Sequence, residues 1–249
     1  MTEPLLQLRH RGLIVAAAGH LQRARAEFDA RHCVQLPNLL ETGLARAVLD
    51  ALDRASFTDY THEGIGNELC AQPGTATGVL ELLANDPAFF AAVRTVTGCG
   101  PIGLFHGRVY RMVPGGGHYD SWHSDEGLDR LVAMSVNLSP TPYEGGLLQI
   151  RDNKSSRIVN EVANTGFGDA ILFRIGPTLT HRVTTVEGSV PKTAYAGWFR
   201  SKPFYRNLVR ERAERSALHH GFDDGIDQLK DTREGRLEAD LEDGNPIKK

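Results

Sequence analysis

Three side chains in the second half of the sequence are of types that bind a transition metal. His123 and Asp125 are separated by one residue, in the run Trp-His-Ser-Asp. Residues i and i+2 of a β-strand point to the same face, so an imidazole and a carboxylate at this spacing can reach one cation. His181 is the best third ligand, because it begins another β-like run, His-Arg-Val-Thr-Thr-Val. Two histidines and one carboxylate form the facial triad suited to non-haem Fe(II) and O₂ chemistry.

A second His-x-Asp motif, His118-Tyr119-Asp120, lies just upstream and is an alternative source of ligands. It directly follows three glycines, residues 115–117, which predict a flexible loop rather than a strand face. The His123 motif is therefore preferred. His118 and Tyr119 then either border a substrate entrance or belong to an ordinary surface loop.

Composition narrows the class of protein that can carry these residues. The chain has 249 residues, of which 41% are hydrophobic, so it can bury one large core or two small ones. Its net charge of −3 gives no electrostatic case for a nucleic-acid partner, and no apolar run approaches the roughly 20 residues of a membrane-spanning helix. Three cysteines without a C-x-x-C motif argue against a disulfide framework or a cysteine zinc site. We expect a cytoplasmic protein with no membrane partner.

The elements that must position the three side chains fall into three zones. Residues 1–100 are predicted to be a mostly helical support region, with one helix beginning at Pro87 after the N-cap residue Asp86. Residues 101–205 contain short β-like runs separated by Gly, Pro, Asn and Asp, which predict an antiparallel sandwich or barrel that forms the catalytic core. Residues 206–249 are dense in charge and are predicted to be a solvated helical or disordered tail.

One segment of the support region has two interpretations. Residues 58–76 are polar and rich in glycine, and they either form a lid over the mouth of the site or an ordinary surface loop.

From about residue 96 to residue 200 the chain resembles the Fe(II)/2-oxoglutarate-dependent dioxygenase superfamily, nearest its prolyl-4-hydroxylase-like branch. Six landmarks carry the resemblance in the same order along the chain: Tyr110, the His123-x-Asp125 motif, Gly145-Gly146-Leu147-Leu148 after Val136-Asn137-Leu138, the apolar strand of residues 168–173 before His181, Lys192, and Gly197-Trp198-Phe199.

The resemblance implies a mainly β fold with flanking α-helices, namely a double-stranded β-helix (jelly-roll or cupin-like) with N-terminal helices packed on one side. It implies Fe(II) bound by His123, Asp125 and His181, with 2-oxoglutarate and O₂ as cosubstrates and ascorbate as a further candidate. It also implies that Lys192 holds the distal carboxylate of 2-oxoglutarate. We expect the Tyr110 hydroxyl to donate to the same carboxylate, and Arg182 and Arg200 are reserve cations, the alternatives to Lys192.

The residue types support this cosubstrate site independently of the resemblance. A buried carboxylate is costly unless it is paired with a cation and hydrogen-bonded, and a lysine with a tyrosine hydroxyl can supply both. Strand alternation places Lys192, Ala194 and Ala196 on one face, where the small alanines leave room for a ligand. Asn137 is predicted to face inward, either to contact the cosubstrate or substrate or to satisfy a strand backbone.

The predicted activity is hydroxylation of an unactivated C–H bond in an amino-acid-like, peptide or small-metabolite substrate, with release of succinate and CO₂. Asp125 favours hydroxylation over halogenation, because related halogenases carry Gly or Ala at this position. Two alternatives stay open: a zinc-dependent hydrolase, and a non-catalytic module that binds a metal or a 2-oxoacid.

Overall fold

The computed structural model describes residues 4–127 and 129–202, so the predicted tail at residues 206–249 lies outside the described part of the chain. The described helices are α1 (Ala18–Arg31), α2 (Thr42–Leu52), α3 (Thr75–Ala84) and α4 (Pro87–Thr97). The described strands are β1 (Leu6–Arg9), β2 (Gly12–Val15), β3 (Cys33–Leu36), β4 (Phe57–His62), β5 (Gly66–Ala71), β6 (Leu104–Met112), β7 (Tyr119–Asp120), β8 (Arg130–Asn137), β9 (Glu144–Gly145), β10 (Leu148–Asp152), β11 (Ile158–Val162), β12 (Ala170–Arg174), β13 (Leu179–Val183), β14 (Val186–Glu187) and β15 (Lys192–Arg200).

Two antiparallel sheets face each other. The large sheet has the strand order β3-β12-β8-β15-β6-β5-β4, with β7 added beside β5, and the small sheet has the order β11-β10-β13. Ile171 and Phe173 of the large sheet share one buried cluster with Leu148 and Leu179 of the small sheet. The sheets therefore close on a common interior as a curled half-barrel, and the predicted jelly-roll fold is confirmed.

The helices cover the other face of the large sheet. Phe105 of β6 and Phe199 of β15 are fully buried, and the ring of Phe199 packs edge-on against Phe89 of α4. Helix α4 begins as predicted, because the Asp86 side chain accepts a hydrogen bond from the Ala88 N–H at 2.7 Å and Pro87 occupies the first turn. No described helix is both long and apolar enough to cross a membrane.

Residues 57–71 form a β-hairpin rather than a loop. Strands β4 and β5 pair with each other across a turn at Gly64, whose φ of +70° suits glycine. Strand β5 then pairs with β6 through Leu69 and Cys70, so the hairpin extends the large sheet. Its strands are rich in Thr, Asp, His, Asn and Glu, and this composition hides the alternation that normally identifies a strand. Residues 4–100 thus contain five strands as well as four helices, and the predicted division at residue 100 stays a prediction.

Gly197 of β15 and Gly107 of β6 lie directly opposite each other in the antiparallel pair at the centre of the large sheet. A Cβ on Gly197 would overlap the carbonyl oxygen of His106 and the Cα of Gly107. We expect Gly197→Ala to lower the free energy of unfolding by about 1–3 kcal/mol, because the two strands must move apart. Urea denaturation measures this change.

Gly43→Ala is the matched control. A Cβ at this position of helix α2 meets open space, so the substitution should be neutral or slightly stabilising. Equal stability of the Gly197→Ala variant and the unmodified protein would contradict the predicted close approach.

Candidate active site

His123 and His181 are direct neighbours across an antiparallel β-bridge. The His123 N–H donates to the His181 carbonyl, and the His181 N–H donates to the His123 carbonyl, each at 3.0 Å. The two ring centroids are 4.4 Å apart. Two histidines that are distant in the sequence are therefore held together by their own backbones.

Asp125 completes a group that could hold a metal ion. Its Oδ2 lies 3.2 Å from His181 Nε2, and its Oδ1 lies 3.7 Å from His123 Nε2. One ligand atom from each of the three residues lies within 4.8 Å of the others. A metal with ligand bonds of about 2.0–2.2 Å holds neighbouring ligand atoms about 3 Å apart, so the donor set fits a transition metal with little movement.

Neighbouring groups set the orientation of His123. Its Nδ1 lies 2.8 Å from the Ser121 carbonyl and 3.3 Å from Asp120 Oδ1. Both are acceptors, so Nδ1 donates to them, and Nε2, on the Asp125 side of the ring, is the atom available to a metal. Asp120 is itself held by the Val183 N–H, which donates to its Oδ2 at 2.7 Å.

The ionisation of Asp125 reflects the same arrangement. Burial by itself would raise the pKa of this carboxyl. Hydrogen bonding and attraction from His181, together with Trp198 and His123, hold that pKa well below its ordinary value. Asp125 therefore stays a carboxylate, which is the form that binds a metal.

The structure uses the upstream His-x-Asp motif differently. The His118 ring caps the loop before it, since its Nδ1 accepts the Val113 N–H at 2.8 Å, and it does not line the cavity. Asp120 lies beside the His123 ring, and within the described residues it does not form a group of potential metal ligands with His118. Tyr119 is 49% exposed and lines the cavity, as expected for a residue at its entrance.

The three metal-binding candidates line a cavity of about 210 Å³ whose other side chains include Lys192. Lys192 is 4% exposed, and its Nζ donates to the Gly146 carbonyl at 2.8 Å. Gly146 has a φ of +60°, and a Cβ there would meet the Tyr143 ring at 2.8 Å and the Lys192 side chain at 3.0 Å, so this glycine makes room for both side chains. Burial lowers the pKa of Lys192 to about 8. This is its only hydrogen bond within the described residues, although an ammonium group has three donors.

Tyr110 lies beside this lysine. It is opposite Ala194 on the neighbouring strand, and Ala194 is two residues from Lys192 on the same face. Burial raises the pKa of Tyr110 well above its ordinary value, so its hydroxyl stays a hydrogen-bond donor. Within the described residues that hydroxyl has no hydrogen-bond partner, and Tyr110 lines the cavity.

Asn137 is not brought to this cavity. Its amide nitrogen donates to the Gly166 carbonyl at 2.9 Å, and its side-chain oxygen accepts the Ser139 N–H at 3.0 Å. Both hydrogen bonds satisfy backbone groups where β8 ends. Asn137 therefore has the second of its two expected roles, in the strand backbone, and does not line the cavity of the proposed cosubstrate site. The reserve cations also lie elsewhere: Arg200 is paired with Asp129, and Arg182 donates to Gln149.

Sequence reasoning missed a charged cluster on the hairpin side of the cavity. Arg108 of β6 donates from Nε to Glu68 Oε1 at 2.8 Å, and its Nη2 lies 2.9 Å from His62 Nε2. Burial by itself would raise the pKa of Glu68, but Arg108 and His62 hold it at about 2. Arg108 is two residues from Tyr110 on the same strand and lines the cavity with it, whereas its partners could be found only by recognising the hairpin with its turn at Gly64.

Comparison with known proteins shows what this chain is similar to. Residues 107–200 match the model of the 2OG-Fe(II) oxygenase superfamily. A search of curated proteins finds no match. Among solved structures, an oxidoreductase of the 2OG-Fe(II) oxygenase family from Burkholderia pseudomallei is similar at 15% identity, with 73% of this chain and 91% of that chain covered and a TM-score of 0.56.

Two further structures share the fold. A Pseudomonas putida prolyl-4-hydroxylase is 19% identical, with 73% of this chain and 99% of that chain covered and a TM-score of 0.54. The non-haem α-ketoglutarate-dependent epimerase SnoN of nogalamycin biosynthesis is 14% identical, with 74% and 83% covered and a TM-score of 0.54. The fold is thus that of prolyl-4-hydroxylases and related enzymes, and residues 107–200 are similar in sequence to the 2OG-Fe(II) oxygenase superfamily.

Proposed function

We propose that this protein is a 2-oxoglutarate-dependent hydroxylase that acts on an unactivated C–H bond of a small, amino-acid-like substrate and releases succinate and CO₂. The observation that carries the proposal is one cavity lined both by the His123, Asp125 and His181 group and by Lys192. Such a cavity offers a metal site and a cation for a dicarboxylate. Structural relatives include an epimerase as well as a prolyl-4-hydroxylase, so hydroxylation is the outcome to be tested.

The roles proposed for the side chains follow from their atoms. His123 and His181 offer Nε2, and Asp125 offers its carboxylate, as ligands for Fe(II), which together with 2-oxoglutarate supplies the O₂-dependent oxidation of the C–H bond. Ser121 and Asp120 keep the proton of His123 on Nδ1. The Phe173 ring, 4.9 Å from the His181 ring, excludes water from one side of that ligand.

The cosubstrate is proposed to bind with its distal carboxylate between Lys192 and Tyr110. The free N–H donors of Lys192 and the Tyr110 hydroxyl are the groups that a buried carboxylate requires. Ala196, on the same face of β15, leaves the space that the rest of the molecule needs.

Metal binding and turnover test the assignment of the triad. Under anaerobic conditions, Fe(II) and 2-oxoglutarate should produce a weak visible charge-transfer band, and admitting O₂ should release succinate. Asp125→Ala and His181→Ala should abolish the band and reduce succinate formation by at least about 100-fold, because each removes a proposed ligand. His118→Ala is the matched control and should retain both signals, since His118 does not line the cavity.

The rival functions give different results in the same experiment. A zinc hydrolase gives neither band nor succinate, and a binding module gives the band without succinate. Undiminished succinate formation by the Asp125→Ala and His181→Ala variants would refute the proposed metal site.

The pKa of Lys192 predicts how cosubstrate affinity depends on pH. Because burial lowers this pKa to about 8, the ammonium is charged below pH 8 and loses its proton as the pH rises above that value. We expect the dissociation constant for 2-oxoglutarate, measured anaerobically from the band, to be about tenfold larger at pH 9 than at pH 7.

Two substitutions separate the charge of Lys192 from other effects. Lys192→Arg should flatten the dependence between pH 7 and pH 9, because a guanidinium stays protonated. Lys192→Met should weaken 2-oxoglutarate binding at least about tenfold already at pH 7. Equal affinity of the unmodified protein at both pH values would remove Lys192 from the cosubstrate site.

A further inference from the structure

The ion pair between Arg108 and Glu68 is only partly used within the protein. The carboxylate contacts all go to Glu68 Oε1, and the guanidinium contacts use Nε and Nη2 of Arg108. Within residues 4–127 and 129–202, the hydrogen bonds and the ion pair of these two side chains leave Arg108 Nη1 and Glu68 Oε2 unused, and the Cys70 thiol also lies near the guanidinium. Neither atom is fully buried, and the side chains of Arg108 and Glu68 are 21% and 12% exposed. Both atoms therefore remain accessible from the cavity that the two side chains line.

This pair is close to the candidate metal ligands. Gly66 and Asn67, which precede Glu68 in β5, pair with Asp120 and Tyr119 of β7. Asp120 in turn lies 3.3 Å from the His123 ring. Arg108 is directly opposite Ala196, on the face of the large sheet that lines the cavity. A molecule held by the pair would therefore lie within the same cavity as the proposed reaction.

The charges around the cavity favour a ligand with no net charge. Three carboxylates line it, and they are matched by three cationic side chains; the six residues are Glu68, Asp120, Asp125, Arg108, Arg130 and Lys192. The charges of a bound Fe(II) ion and of a 2-oxoglutarate dianion would also cancel each other. A ligand with net charge would be left unbalanced in this low-dielectric site, whereas one that carries both signs can pair with the two unused atoms.

We propose that the Arg108–Glu68 pair binds the zwitterionic head group of a free α-amino acid, which makes this class of molecule the substrate. The substrate carboxylate accepts from Arg108 Nη1, and its ammonium donates to Glu68 Oε2. Glu68 Oε1 accepts from both Nε and Nη2 of Arg108 and so fixes the orientation of the guanidinium and the direction of Nη1. The inference rests on the proposed function, since the pair selects the molecule that the iron site oxidises.

The test compares free amino acids with their blocked forms. Protein loaded anaerobically with Fe(II) and 2-oxoglutarate is titrated by calorimetry with the standard L-amino acids and with the N-acetyl and α-carboxamide form of each. We expect at least one free amino acid to bind saturably, and each of its blocked forms to bind at least about tenfold more weakly, because each loses one charge-assisted hydrogen bond. Arg108→Lys and Glu68→Gln should weaken binding of that amino acid by a similar factor.

Arg111→Lys is the matched control. Arg111 lies on the same strand, stacks on Phe57 and does not line the cavity, so its replacement should leave amino-acid binding unchanged. The proposal is overturned if no free amino acid binds, or if a doubly blocked, peptide-like form binds as tightly as the free one. Either result with the charge-transfer band and succinate release intact leaves the hydroxylase assignment standing. Loss of the band in the unmodified protein would instead refute the proposed function itself.

Discussion

The reciprocal backbone hydrogen bonds between His123 and His181 are the constraint on which the rest of the site depends. Residues directly opposite each other in an antiparallel pair project their side chains to the same face, so the two imidazoles converge through main-chain geometry. Asp125 then needs only the short chain that follows His123 to reach both rings. A site built in this way is preorganised by rigid elements, and a bound metal has to order little more than side-chain rotamers.

Another part of the cavity wall is organised by Lys192, a buried cation with unused hydrogen-bond donors. Lys192 is buried against the Gly146 carbonyl with donors to spare, and the cost of that burial is visible in its lowered pKa. A carboxylate placed there restores the favourable surroundings of the ammonium group, so the desolvation of Lys192 favours an anionic ligand over water. The left-handed conformation of Gly146 allows this close approach, which gives the Gly-Gly motif a physical role in the site.

The large sheet separates two environments with different tasks. On its helical side, rings such as Phe105 and Phe199 form a dry aromatic core that holds β6 and β15 in place. On its cavity side, the same strands and the added hairpin carry charged groups, among them Arg108 and Glu68. A partly buried ion pair contributes little net stability after desolvation, so its position in the cavity is better explained by recognition of a ligand than by folding.

Local sequence patterns determined the strands of the core and the N-cap of α4, and they singled out the candidate metal-binding motif and Lys192, because alternation, capping and ligand spacing act over a few residues. The hairpin at residues 57–71 and the Arg108–Glu68 pair required the tertiary structure, since polar residues on a cavity face erase the alternation on which strand prediction relies. The tertiary structure also decided that Asn137 serves the backbone. Which atoms a buried polar side chain meets depends on how distant segments pack, and no local pattern carries that information.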